Sequence, residues 1–272
     1  MKASHYLKSM YGIGLAIVLV LVALASIYVH KFPLALVMAG VFAVFLEYII
    51  AKTLMNSNPN IKSAVITGII IGAVAPFNAQ IYIVAVACIV AISSKYALRY
   101  KSSNIFNPAA LGLLVALFLF NSSDQWWVAS YFTISNITFI LTPLLLIVAY
   151  KAKRFTTAAS FIVVTGVLIF LTSPNTYVLS NIPIFFIGAQ PFFFGSLMAT
   201  DPKTSPHIKE EQLAYGIGLA LLGFGISLYG APYPDIVALL AANAAFLMFK
   251  EYKSRHHLNK ARAQKDSKLA MN

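Results

Sequence analysis

The chain has 272 residues, of which 60% are hydrophobic and 10% are charged, and its mean hydropathy is +0.80. Soluble domains carry about one quarter charged residues, so this composition excludes a soluble globular protein and predicts an all-α polytopic membrane protein. A formal net charge of +12 would indicate nucleic-acid binding in a soluble protein. Basic loops on one side of a membrane explain it better, and no basic module with stacking aromatic residues is found, so no nucleic-acid partner is expected.

Ten apolar segments are predicted to cross the lipid bilayer, where a spanning helix needs about 20 residues. They cover residues 11–29, 33–51, 62–75, 80–97, 105–120, 130–150, 156–172, 183–200, 213–229 and 234–249. Every other loop is basic; in the loop after the fourth segment, for example, the basic residues are Lys95, Arg99 and Lys101. Of the 20 basic residues, only Lys31 falls in one of the alternate loops. Because basic loops stay in the cytoplasm, both termini and the basic tail at 250–272 are predicted to be cytoplasmic.

The first segment allows a second interpretation, a cleaved signal peptide, because Lys2 and Lys8 precede its apolar run. This run is longer than the apolar region of most signal peptides, which favours a retained helix. The single cysteine, Cys88, lies in an apolar stretch and is interpreted as a small buried hydrophobic residue.

The ten segments divide into two halves of five, at about 11–120 and 130–249, within one membrane domain, 1–249. Because five is an odd number of crossings, the two halves have opposite orientations in the membrane. The third segment is short and ends at Pro76, and the eighth ends before Pro202. Interrupted helices at matching positions of two halves predict a binding site where the halves meet. The alternative is that these prolines only kink the helices.

The eighth segment passes into a polar turn that contains Thr200, Asp201 and Thr204. Pro202 lacks an N–H and restricts the residue before it, so the helix is predicted to end at about Asp201. A carboxylate at the end of a membrane span is costly and indicates a function or a nearby partner. A solvated surface turn is the other interpretation.

Three further polar residues interrupt apolar sequence. Asn107 precedes Pro108 and is predicted to cap the fifth helix, whose N-terminus would suit an anionic or carbonyl-bearing ligand. Asn243 lies within the tenth segment, where a lone asparagine usually bonds between helices. Glu47 lies within the second segment as a candidate ion ligand, and pairing with Lys52 is the alternative.

Three stretches resemble the RnfD/NqrB family, the membrane subunits of Rnf complexes and of the sodium-pumping NADH:quinone reductase. They are Asn104-Ile-Phe-Asn-Pro-Ala-Ala-Leu-Gly112, Met198-Ala-Thr-Asp-Pro-Lys-Thr-Ser-Pro206, and Tyr215-Gly-Ile-Gly218 followed by Tyr233-Pro-Asp-Ile-Val-Ala238. The resemblance implies ten spans in an inverted repeat, an inner-membrane location, and electron flow on flavins coupled to Na⁺ or H⁺ movement. It also implies membrane and cytoplasmic electron-transfer subunits as partners.

Typical members attach FMN to a threonine in a Ser-Gly-Ala-Thr motif, which this chain lacks, so covalent FMN is not predicted. The resemblance instead implies non-covalent riboflavin or FMN near Asn107 and Asp201, with Thr200, Thr204 and Asn243 also lining the site. An aromatic run, Phe192-Phe-Phe194, would cover the ring; the alternative is that it faces lipid or belongs to the core. A small-solute transporter and a cofactor-free scaffold subunit are the alternative functions.

Overall fold

The computed structural model describes residues 30–101, 103–132, 138–172 and 189–270, together with isolated positions between 12 and 27. The apolar segments form helices, because backbone polar groups in lipid must bond within their own segment. The helices are α1 (Leu34–Ile49), α2 (Ile61–Val74), α3 (Ile81–Ala97), α4 (Pro108–Leu119), α5 (Trp127–Phe132), α6 (Thr138–Lys151), α7 (Phe155–Thr172), α8 (Ala189–Phe193), α9 (Lys209–Leu228) and α10 (Pro234–Ala270). A π-helical segment extends α1 (Ile50–Leu54), and another extends α8 (Phe194–Met198).

Among the described residues, three helices are long and apolar enough to cross a membrane: Leu34–Leu54, Phe155–Thr172 and Lys209–Leu228. Shorter apolar helices include Ile61–Val74 and Pro108–Leu119, which agree with the short third and fifth segments. Part of the first segment and residues 183–188 of the eighth lie outside the described part of the chain. The count of ten spans and the signal-peptide alternative therefore stay predictions.

Each half packs its own helices by a similar scheme. In the first half α1 packs against α2 and α3, and α3 packs along α4. In the second half α7 packs against the π-helical end of α8 and against α9, and α9 packs along α10. Glycines permit close approach in both: a Cβ at Gly68 would lie 2.5 Å from the Ala39 carbonyl oxygen, and one at Gly195 would lie 3.0 Å from the Phe161 ring.

The two fifth helices, α4 and α10, meet between the halves and run in opposite directions. At one end the backbone N–H of Asn107 donates to Asn243 Oδ1 at 2.8 Å. At the other end the hydroxyl of Tyr233, which precedes α10, donates to the Leu117 carbonyl at 3.2 Å. Opposed directions at matching positions are what an inverted repeat requires.

The two third helices, α2 and α8, are also opposed. Ser63 in the first turn of α2 and Thr200 beyond α8 line one cavity. At the far end of α2 the Val74 carbonyl accepts the Trp126 N–H at 3.1 Å, and the Trp126 ring lies edge-on to Phe193 in α8, with 6.3 Å between ring centroids. Within the described residues, the two third helices therefore run in opposite directions, as the two fifth helices do.

The structure departs from the predicted elements at one place. A two-residue antiparallel ladder, β1 (Arg99–Tyr100) with β2 (Ser103–Asn104), joins α3 to α4 where only a loop was predicted. Beyond the predicted end of the tenth span at residue 249, α10 continues as one helix through the basic tail to Ala270. Lys253 in this extension pairs with Glu211 of α9 at 2.7 Å, which fixes the base of the tail helix.

Candidate functional site

Asn107 joins three elements where the halves meet. Its side-chain oxygen accepts the Ala110 N–H at 3.1 Å, which confirms the predicted N-cap of α4. Its side-chain amide donates to the Met198 carbonyl at 3.2 Å, at the end of the π-helical segment. Its backbone N–H donates to Asn243 in α10. Asn107 is 4% exposed, so each of these bonds is made away from bulk water.

Asn243 extends this network into the polar turn and α9. Its amide nitrogen donates to the Tyr215 hydroxyl at 2.7 Å and makes a long bond of 3.5 Å to the Thr204 carbonyl. The predicted bond between helices is therefore present, and it reaches a third helix through Tyr215. Tyr215 was missed as a site residue, although it lies in one of the three stretches that resemble the family.

The turn after α8 is built around Asp201. Its carbonyl accepts from the backbone N–H groups of Thr204 and Ser205, at 3.1 and 3.0 Å, and its Oδ1 accepts the Lys203 N–H at 3.1 Å. The π-helical segment ends at Met198, three residues before the predicted end, and the Thr200 hydroxyl donates to the Ser196 carbonyl. These bonds make an ordered turn within the protein and not a loosely solvated one.

Burial raises the pKa of the Asp201 carboxyl, and the hydrogen bond from the Lys203 N–H opposes this rise. Arg154 holds the same turn to the start of α7, and this residue is 2% exposed. Its guanidinium donates to Ser205 Oγ at 3.0 Å and to His207 Nδ1. Burial and then the adjacent guanidinium lower the pKa of His207, which agrees with an imidazole that accepts the bond from Arg154.

A cavity of about 100 Å³ lies between the halves beside this network. The polar residues around it that bear on its chemistry are Lys95, Asn107, Ser196, Thr200, Asp201 and Lys203. The structure thus brings Asn107, Thr200 and Asp201 together at one cavity. Asn243 and Thr204 lie behind it and support Asn107 and the turn.

Lys95 and Ser196 are cavity residues that sequence reasoning missed. Lys95 was counted among the cations of a cytoplasmic loop, but it lies in the last turn of α3 and is 8% exposed. Its position two residues inside the predicted segment was the only available signal. Ser196 is fully buried, and its hydroxyl has no hydrogen-bond partner within the described part of the chain. A serine among small and apolar residues gives no such signal.

Glu47 lies apart from the cavity, near the end of α1. Its Oε1 accepts the Asn60 N–H at 2.9 Å and the Tyr96 hydroxyl at 2.8 Å. The alternative prediction, that Glu47 pairs with Lys52, is wrong, because Glu47 makes no ion pair among the described residues. Glu47 is 3% exposed, and its Oε2 has no partner in that same part of the molecule.

The aromatic run at the end of α8 belongs to the core. Phe194 packs edge-on against Trp126 and at an angle against Phe161, with centroid distances of 5.8 and 5.1 Å. Neither Phe194 nor its two aromatic neighbours line the cavity. The prediction that the run covers a ring in this cavity is therefore not supported, whereas the core interpretation is. Cys88 is also buried, as predicted.

The comparisons with known proteins agree with the arrangement of two halves. The model of the NQR2, RnfD, RnfE family matches the chain twice, over residues 2–139 and 129–258. Each match corresponds to about one half of the chain and includes one of the two polar stretches at the cavity. No curated protein matches the sequence. Because the family model covers nearly the whole chain, this membrane protein belongs to the NQR2, RnfD, RnfE family.

Proposed function

We propose that this chain is an integral inner-membrane subunit of a flavin-dependent electron-transport complex, with both termini in the cytoplasm. In this proposal it moves electrons through the membrane, coupled to Na⁺ or H⁺ translocation, within ten spans that form an inverted repeat. The observation that carries the proposal is the cavity between the halves, at which Asn107 of one half and Asp201 of the other converge. Membership of a family found in multisubunit complexes supports other electron-transfer subunits as partners.

The polar groups at the cavity suit one edge of a flavin ring. The pyrimidine edge of an isoalloxazine presents carbonyl oxygens and ring nitrogens, which need both donors and acceptors. The buried hydroxyl of Ser196 lacks a partner among the described residues, and Lys95 and Asp201 supply an ammonium and a carboxylate. When bound, the flavin would supply the redox chemistry and the protein its placement and electrostatics.

The size of the cavity limits this fit. A cavity of about 150 Å³ admits a benzene molecule. The central cavity, at about 100 Å³, admits one edge of the three-ring system and not the whole of it. We therefore place only the pyrimidine edge at Asn107, Ser196 and Asp201, and the other rings outside this cavity.

Glu47 is proposed as an ion ligand on the cytoplasmic side of the protein. Its buried Oε2 without a partner in the described residues supports this role, because a buried carboxylate oxygen needs a proton, a cation or a donor. The Tyr96 hydroxyl and Asn60 N–H hold the other oxygen and orient the carboxylate.

The small volume of the cavity favours a second candidate function, the passage of a small solute or ion between the halves. Broken helices at a repeat interface serve transport in other membrane folds. Visible absorbance of the purified protein separates the two functions. Flavin bands support electron transfer, and a colourless protein that makes liposomes permeable to a small solute supports transport.

The direct test is purification with native partners, followed by flavin extraction before and after denaturation. We expect riboflavin or FMN to be released without cleavage of a covalent bond. Asp201→Ala should lower flavin content several-fold at unchanged expression, because the turn loses a carboxylate that faces the cavity. Normal flavin content in Asp201→Ala would leave the turn with a structural role only, and a wild-type complex whose membrane subunit holds no flavin would contradict the proposal.

A further inference from the structure

The ammonium of Lys95 is buried with part of its hydrogen-bonding capacity unused. It donates to the carbonyl and to the hydroxyl of Ser63, both at 3.2 Å. An ammonium has three N–H donors, so one remains, and no carboxylate of the described residues forms an ion pair with Lys95. The carboxylates of Glu47 and Asp201 act on this charge from a distance, but neither bonds to the ammonium, so its remaining donor is available to a ligand.

The surroundings of Lys95 make the cavity favourable to negative charge. Lys203 lines the same cavity, and so do Pro108 and Ala109 in the first turn of α4. The N-terminus of a helix carries a partial positive charge. Two carboxylates oppose these positive charges: Asp201 lines the cavity, and Glu47 acts on Lys95 from outside it.

A second observation points to a ligand in the same place. Ser196 lies in the π-helical segment across from α3, is fully buried, and has a hydroxyl with no partner in the described structure. Buried hydroxyls are normally hydrogen-bonded, and exceptions call for an explanation such as a bound molecule. A free donor on Lys95 and a free hydroxyl on Ser196 at one cavity suit a ligand that accepts hydrogen bonds and carries negative charge.

We infer that Lys95 gives this site its preference for the reduced form of the flavin. The inference rests on the proposed flavin function. At neutral pH a two-electron-reduced isoalloxazine carries a negative charge shared by N1 and the neighbouring carbonyl, whereas the oxidised ring is neutral, and charges near N1 tune flavin potentials. The buried ammonium of Lys95 therefore stabilises the reduced ring selectively, while Ser196 and Asn107 bind both forms.

A purely structural role for Lys95 makes a different prediction. If its only task is to tie α3 to α2 through Ser63, then loss of the ammonium lowers stability and weakens both redox forms equally. If its charge acts on the ligand, the ratio of the two affinities changes, and the midpoint potential of the bound flavin changes with it. The potential separates these roles, because it depends on the ratio alone.

The test is a spectroelectrochemical titration of the flavin-containing holoprotein as wild type, Lys95→Gln and Lys95→Arg. Removing an opposite charge at about 4–6 Å changes such an equilibrium by about tenfold or more. Lys95→Gln should thus lower the ratio of reduced to oxidised affinity at least about tenfold, which for two electrons lowers the potential by about 30 mV. Lys95→Arg keeps the charge and should stay nearer to wild type.

Two matched variants complete the design. Ser63→Ala removes the hydroxyl that holds Lys95 but leaves the ammonium, and Lys203→Gln removes the less buried lysine of the same cavity; both should shift the potential less than Lys95→Gln. If Lys95→Gln does not assemble, Lys95→Met, which keeps the alkyl stem, replaces it. A bound flavin whose potential is unchanged in the neutral variant overturns this inference alone. A wild-type protein without flavin overturns the proposed function itself.

Discussion

Two buried asparagines, Asn107 in the first half and Asn243 in the second, connect the halves by a hydrogen bond. An amide side chain both donates and accepts, so one residue can bond to several elements at once. Asn243 accepts from the Asn107 backbone and donates to Tyr215, which links α4, α9 and α10. A residue with only a donor or only an acceptor could not make both bonds, which explains the amide at this position.

Asn243→Ala should destabilise the protein. The change leaves the Asn107 N–H without its acceptor and the Tyr215 hydroxyl without its donor, at a position where Asn243 is 1% exposed. An unsatisfied buried donor costs about 1–3 kcal/mol. Thermal unfolding in nanodiscs should show a clearly lower midpoint. The control is Asn58→Ala in the exposed loop before α2, and equal midpoints for the two variants would contradict a role for the network in stability.

Helix α3 packs closely along α4, and Lys95 on α3 and Asn107 at the start of α4 line the same cavity. Gly112 permits this packing, because a Cβ there would collide with the Ala87 carbonyl oxygen and lie 2.8 Å from the Ala91 Cβ. The backbone carbonyl cannot rotate away, so the helices would have to separate. The cavity thus depends on a glycine one turn along α4 from Asn107.

Gly112→Ala and Gly218→Ala form a matched pair of helix glycines. The first adds a methyl group into the α3–α4 contact, and we expect a loss of about 1–3 kcal/mol, as for other overpacked positions. The second adds a methyl group to α9 where nothing lies within 4 Å, so it should be neutral or stabilise the helix by about 0.5–1 kcal/mol. The two unfolding midpoints in nanodiscs test this, and a Gly112→Ala protein as stable as Gly218→Ala would show that the helices do not pack this closely.

At the scale of the whole molecule, corresponding helices of the halves run in opposite directions around the cavity. Such a pairing brings the polar ends of α2, α4 and the π-helical segment together at one cavity. The apolar side chains on the outer faces of the helices, such as Phe45, Phe118 and Val163, remain exposed for contact with lipid. The polar groups are therefore concentrated between the halves.

Labelling of introduced cysteines tests this topology. The native Cys88 is buried, so it should contribute little signal. We expect Asn58→Cys and Lys260→Cys to react only with a membrane-permeant reagent in intact cells, because the basic loop that contains Asn58 and the basic tail that contains Lys260 are predicted to be cytoplasmic. Ser123→Cys, on the exposed loop after α4, should react with an impermeant reagent. Reaction of Asn58→Cys and Ser123→Cys from the same side would contradict the opposed halves.

Local sequence information was sufficient for much of this molecule. Apolar runs predicted the helices, because lipid admits few other backbone structures. Asn107 before Pro108 predicted a helix cap, because both residues act within one turn. The alternation of basic loops and the proline at the end of α2 also act locally, and they indicated the polarity of the halves and the place where they meet.

Only the tertiary structure decided what surrounds the cavity. Lys95 was assigned to a loop because it lies near the end of its predicted segment. Its buried position depends on Ser63, which lies on another helix. The partners of Glu47 and the core position of Phe194 likewise depend on residues far away in sequence, as does the lack of a partner for the Ser196 hydroxyl among the described residues. Sequence determines which residues can be helical and which helix ends are polar, because these properties depend on neighbouring residues. Which charged side chains line the cavity depends instead on how separate helices pack together.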